Sequence, residues 1–177
     1  MSSTRIRDWT ITIIFGAVSV FLETSILPSL TGAKVELNLI FGIIIWMAFY
    51  KNQLDGAILA FILAFAQGAL SGTLSGVYMF AGMSLYILCW FLRDRFAPKT
   101  LTGQFLFALG LGVFYKLVLL LALRIFVGRY YTGAQSFGFA FLEVLLNAFF
   151  APLIFMVFSR VQGYFDLFPD VVRPRRG

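Results

Sequence analysis

Residues 104–127 read QFLFALGLGVFYKLVLLLALRIFV, and this stretch decides the fold. About 20 predominantly apolar residues carry a helix across the roughly 30 Å hydrocarbon core of a bilayer. The stretch is long enough, and its only charges are Lys116 and Arg124. Five further apolar runs lie around it, at residues 9–27, 35–50, 54–70, 77–92 and 137–158. The runs at 35–50, 54–70 and 77–92 are short for a full crossing. Their ends either extend into the flanking polar residues or cross a locally thin, water-invaded region.

The composition agrees. Of the 177 residues 60% are hydrophobic and only 12% charged, against about 25% charged in ordinary soluble domains. In water such a chain would expose far too much apolar surface. The reading is an all-α polytopic integral membrane protein, one transmembrane domain over residues 1–177, built as a compact bundle of about six helices. The 22 Phe residues make its apolar surface bulky. The run at 9–27 follows Arg5 and Arg7, as in a signal peptide, but it is too long for a typical signal core. No small-residue cleavage site follows Pro28, so this run reads as a retained first span.

Several chemistries find no support. The chain has no His, the commonest general base and metal ligand. Its single Cys, Cys89, cannot form an internal disulfide, and beside Trp90 in an apolar run it reads as a small buried hydrophobe. There is no phosphate loop, zinc-ligand spacing or nucleophile elbow. No catalytic residue, metal or cofactor is therefore expected. The net charge of +6 sits in short segments between apolar runs, which is how membrane topology is encoded, so nucleic acid is not an expected partner.

Orientation follows from the Lys and Arg residues. Arg5, Arg7, Lys51, Arg93, Arg95, Lys99, Arg160, Arg173, Arg175 and Arg176 fall on one side of a six-span arrangement, and only Lys34 and Arg129 on the other. Positively charged loops stay in the cytoplasm. Both termini are expected there, with Arg129, Tyr130 and Tyr131 at the outer interface.

Two stripes organise the helices. Gly56, Ala60, Ala64 and Gly68 recur every four residues, which lets helix backbones approach closely; they read as a packing face. Thr12, Gly16, Ser19 and Glu23 share one face of the first span. That face is small or polar and should point into the protein.

Four charges lie well inside apolar runs, away from their first residues: Glu23, Lys116, Arg124 and Glu143. Each costs roughly 2.5–3.5 kcal/mol at a helix centre on insertion scales, so such groups pair or line a cavity. Counting along the runs puts Glu23, Arg124 and Glu143 at similar heights in the outer leaflet, Asn147 one turn below Glu143, and Lys116 near mid-membrane. Arg124 and Glu143 are the expected pair. Three readings stay open: structural pairing, an outer polar pocket for a ligand or partner helix, and Arg124 snorkelling to the interface.

The stretch from Val35 to Arg95 carries a resemblance. Asn38-Leu39-Ile40 opens a span and Tyr50-Lys51 closes it. Asp55-Gly56, a small-residue helix, Gln67-Gly68-Ala69-Leu70-Ser71-Gly72, another span and Arg93-Asp94-Arg95 follow. This resembles the rod shape-determining protein MreD, in length and helix count as well. Relatives often carry an acidic residue where this chain has Gly68. The resemblance implies a non-enzymatic subunit of the bacterial elongation machinery in the inner membrane. Its implied partner is MreC, and through it MreB, a glycan polymerase and a transpeptidase. The alternative, resembled in architecture only, is the substrate-binding membrane subunit of a vitamin transporter with an outward pocket. A small channel is a distant third.

Overall fold

A computed structural model describes residues 3–26, 37–71, 75–95, 100–128 and 134–164. These are all-helical, without a strand. The six helices are α1 (Ser3–Phe21), α2 (Leu39–Tyr50), α3 (Gln53–Leu70), α4 (Ser75–Leu92), α5 (Leu101–Val127) and α6 (Ala134–Tyr164), with a π-helical turn over Leu22–Ile26 after α1. Three stretches, Gln53–Leu70, Leu101–Phe126 and Gly138–Val161, are long and apolar enough to cross a membrane. They are the helices of a membrane protein.

The bundle is organised by α2. Its sequence, LIFGIIIWMAFY, has no polar face, and a helix apolar all round has to be buried all round. Every residue from Ile40 to Ala48 is buried. The other five helices, α1, α3, α4, α5 and α6, all pack against it. The Asn38 side chain caps its first turn by accepting a hydrogen bond from the Phe41 N–H at 2.8 Å. Asn-type caps stabilise a helix start by about 1 kcal/mol.

Small residues set the spacing around this centre. Gly56, Ala60, Ala64 and Gly68 are all buried, and α3 packs closely against α4. A Cβ added at Gly82 on α4 would lie 2.7 Å from the Ala64 Cβ, and one at Gly56 would lie 2.5 Å from the Tyr86 hydroxyl. That hydroxyl donates to the Gln53 carbonyl at 2.9 Å, so it holds the start of α3. On α1, Thr12 and Gly16 are buried, and Gly16 lies against Leu63 of α3. The outward faces are apolar: Ile14, Val18, Phe21, Phe65, Leu117, Leu121 and Phe149 are exposed. Hydrocarbon is the medium such surfaces suit. Cys89 is buried in the core.

Length creates the functional geometry. At 1.5 Å per residue, the 12 residues of α2 span roughly 18 Å. The 27 of α5 and 31 of α6 span roughly 40 and 46 Å. One end of α2 is fixed: Lys51, its C-cap, bonds Asp8 of α1 through Nζ and Oδ2 at 2.5 Å and lies over the Trp46 ring. Burial pulls the Lys51 ammonium below its ordinary range, while Asp8 and Asp55 hold it up. With that end pinned, the whole shortfall of α2 appears at the other.

The close approach at Gly82 is testable. Gly82→Leu drives a side chain into Ala64, and overpacking costs about 1–3 kcal/mol. It is expected to lower the thermal midpoint of the purified protein in detergent by several degrees. Ile87→Leu on the exposed face of the same helix should leave it unchanged.

Candidate functional site

A cavity lies above the N-terminus of α2, where the central helix stops and its neighbours continue. Asn38 and Phe41 form its floor. The walls come from Glu23 in the π turn, Gln67 of α3, Tyr78 of α4, Gly112, Tyr115, Lys116 and Leu119 of α5, and Glu143, Val144 and Asn147 of α6. Every helix or its terminal turn contributes. The interior offers about 30 Å³ to water-sized molecules, room for two or three of them at roughly 10–15 Å³ each.

Register explains why these side chains meet. Glu23 is 15 residues above Asp8 on α1 and Gln67 is 14 above Gln53, so each lies roughly 21–23 Å above the pinned end; Lys116 lies 15 residues into α5 from Leu101. The first turn of α2 ends just below that level.

Two polar contacts mark opposite walls. The Lys116 ammonium bonds Glu143 Oε2, joining α5 to α6. Gln67 donates from Nε2 to Glu23 Oε1 at 2.5 Å, joining α3 to the end of α1. At the floor, the Asn38 backbone N–H donates to Asn147 Oδ1 at 2.7 Å, and its side-chain amide donates to the Tyr115 hydroxyl at 3.1 Å. Asn38 thus starts α2 and ties it to α5 and α6. Gln67 and Glu143 are 2% and 8% exposed. The backbone at Glu23 is itself unusual, since π-helical turns are rare and recur at functional sites.

Four of the five polar residues singled out in the sequence, Glu23, Lys116, Glu143 and Asn147, line this cavity. The fifth does not. The ion pair at Glu143 is made by Lys116. Arg124, the partner expected from the sequence, is exposed near the Val127 end of α5, about 12 Å along the helix from Lys116. The cause is where α6 begins. It starts at Ala134, before the apolar run at 137–158, so Glu143 lies nine residues into the helix, roughly 13 Å. Lys116 lies eleven residues from the Val127 end of α5, roughly 16 Å. Their depths match within one helical turn, and the Lys stem covers the difference.

Sequence reasoning also left Gln67, Asn38 and Tyr115 unassigned. A signal existed for the first two. Gln67 is a lone carboxamide in a run of apolar and small residues, next to Gly68 of the packing stripe. Asn38 precedes an apolar run as a helix cap would. Tyr115 carried no signal, because a tyrosine in a membrane helix has many uses.

Comparison with protein-family models, curated proteins and solved structures gave no match.

The Lys116–Glu143 pair is open to a double-mutant cycle. Removing one partner of a buried pair leaves the other uncompensated, at about 3–5 kcal/mol in soluble proteins; Lys116 is partly exposed to the cavity, so the expected loss is nearer 1–2 kcal/mol by that scale. Lys116→Met and Glu143→Gln should each lower stability in detergent, and the double variant should lose less than the two together. Arg124→Gln combined with Glu143→Gln should be additive. Non-additivity with Arg124 instead of Lys116 would reverse the assignment.

Proposed function

We propose that this protein is a non-enzymatic, MreD-like subunit of the bacterial cell-elongation machinery, set in the cytoplasmic membrane. On this reading all six helices cross the bilayer, the short ones where the central cavity thins the protein. Both termini are cytoplasmic, on the side that carries most of the Lys and Arg. Its partner is the single-span protein MreC, and through it MreB, the glycan polymerase and the transpeptidase.

The observation that carries the reading is the order of helices and turns from Val35 to Arg95. A span opened by Asn38 and closed at Lys51 leads to a small-residue helix ending in Gln67-Gly68-Ala69-Leu70-Ser71-Gly72, and then to a span closed at Arg93-Asp94-Arg95. The helices support it in kind. Nearly all of the described mass lies in the bundle, so the protein acts through helix faces, short connections and its cavity.

The second reading, a substrate-binding subunit of a vitamin transporter, is favoured by one observation: a cavity walled by all the helices. Its size weighs against it. Pockets for drug-sized ligands run to about 300–1,000 Å³, whereas this one has room for a few waters.

Depletion in a rod-shaped host separates the two. Loss of the protein should produce round, wide cells with vitamin uptake intact, and affinity purification from native membranes should recover MreC. Normal rods under full depletion, in a host without a second copy, would refute the shape reading. Loss of uptake with normal shape would establish the transporter reading in its place.

A further inference from the structure

The α4 helix ends in two guanidiniums laid on aromatic rings, at the foot of an exposed apolar track. Phe80, Ile87 and Phe91 are exposed, and steps of seven and four keep them on one face of the helix. From Phe80 to Phe91 the track rises roughly 16 Å. That is the depth of one leaflet of a hydrocarbon core about 30 Å thick. Arg95, four residues further on, continues the same face and is exposed. Apolar surface thus gives way to positive charge over the length at which a lipid's chains give way to its phosphate.

Both guanidiniums are held in place. The Arg93 Cζ lies 5.8 Å from the centre of the Trp90 ring and the Arg95 Cζ 6.0 Å from that of Phe91, within the range of a cation–π contact. The turn that carries them is closed by its own backbone. The Arg93 N–H donates to the Cys89 carbonyl at 2.9 Å and the Arg95 N–H to the Leu92 carbonyl at 3.0 Å. A ring contact occupies the flat face of a guanidinium and leaves the N–H groups along its edge, a fork that fits phosphate two bonds at a time. A side chain already laid on a ring also loses less freedom on binding. Asp94 takes one direction, its Oδ1 lying 3.5 Å from Arg93 Nε. Two guanidiniums against one carboxylate leave the turn net positive.

We infer that the end of α4 is a binding site for an anionic phospholipid. The phosphate sits in the forks of Arg93 and Arg95, and one acyl chain lies along Phe91, Ile87 and Phe80. A zwitterionic headgroup brings an ammonium that a net-positive turn repels, whereas an anionic headgroup brings none. An acidic protein segment would answer the charges and leave the apolar track uncovered. The inference rests on α4 lying against lipid, as the six-span reading has it. It needs neither the shape-control role nor the proposed orientation.

The test is fluorescence quenching of the full chain in bilayers of lipids with brominated acyl chains. Bromine quenches an indole that it touches, and Trp90 stands at the site. A Trp9→Phe background removes a second indole, while Trp46 is sealed in the core and gives a constant background. Brominated phosphatidylglycerol should occupy the site about fivefold more strongly than brominated phosphatidylcholine, the factor for one net guanidinium at an anionic surface. Arg93→Gln with Arg95→Gln should bring the two lipids within about twofold of each other. Arg160→Gln removes an exposed cation of α6 near the same end of the bundle, where Phe158 meets Trp46, and should leave the preference unchanged. If the double variant does not fold, Arg95→Gln alone, on an exposed side chain, should lower the preference by about twofold or more. Equal quenching by the two lipids before substitution would overturn the inference while leaving α4 in lipid. No quenching by either would overturn it together with the six-span reading. A preference that survives loss of the arginines would overturn it as well. So would loss of a co-purifying acidic protein from the double variant with the lipid preference unchanged, which would make the turn a protein contact.

Discussion

Everything in this molecule follows from the need to bury a short helix that is apolar on every side. A helix with one apolar stripe needs one neighbour. The α2 helix has no stripe, and nine consecutive residues, Ile40 to Ala48, are removed from the surface. Fully burying a side chain such as Ile or Met is worth about 1.5–3 kcal/mol against water. In a membrane lipid could cover it equally well, so the enclosure reflects packing more than the hydrophobic effect. Packing of that kind needs small residues where backbones meet. Gly42 against Ile154, Gly82 against Ala64, Gly16 against Leu63 and Gly112 against Val144 supply them on four helix pairs.

The same constraint makes the cavity. A central helix of 12 residues among neighbours of up to 31 cannot fill the column they enclose. Its C-terminal end is clamped by the part-buried Lys51–Asp8 bond. The space left at its N-terminal end is where polar side chains can exist within the bundle, since an ionised group in an apolar setting needs a partner or water. The four polar residues that seemed out of place in the sequence and reach this space do so for one reason. Their helices pass the end of α2 at the same height.

Much of this was legible in the chain. The runs at 35–50, 54–70, 77–92 and 104–127 each coincide closely with a helix, because an uninterrupted apolar run between turn residues leaves few alternatives. The shortness of 35–50 left open whether its ends extend into polar residues or cross a thin region, and the structure places a cavity beside the start of that run. The packing stripe from Gly56 to Gly68 and the inward face from Thr12 to Glu23 could be read from periodicity alone. The error at Arg124 shows the limit. Pairing charges across a hairpin requires helix starts correct to within about one turn, and boundaries are where sequence reading is weakest. A helix that began three residues before its apolar run moved Glu143 to the level of Lys116. Gln67 and Tyr115 escaped for a different reason: their roles depend on what stands opposite them, which no single run encodes.

The central claim joins the cavity to the proposed topology: on that orientation the space above α2 opens to the outside and admits water, while α2 itself is sealed. Cysteine accessibility measures this directly. In a Cys89→Ala background, Tyr78→Cys in the wall and Ile44→Cys one turn below the floor are treated in intact cells with a small, membrane-impermeant methanethiosulfonate. The account requires rapid labelling at position 78 and none at position 44. Equal protection of both positions, or labelling of position 78 only from the cytoplasmic side of inverted vesicles, would contradict it.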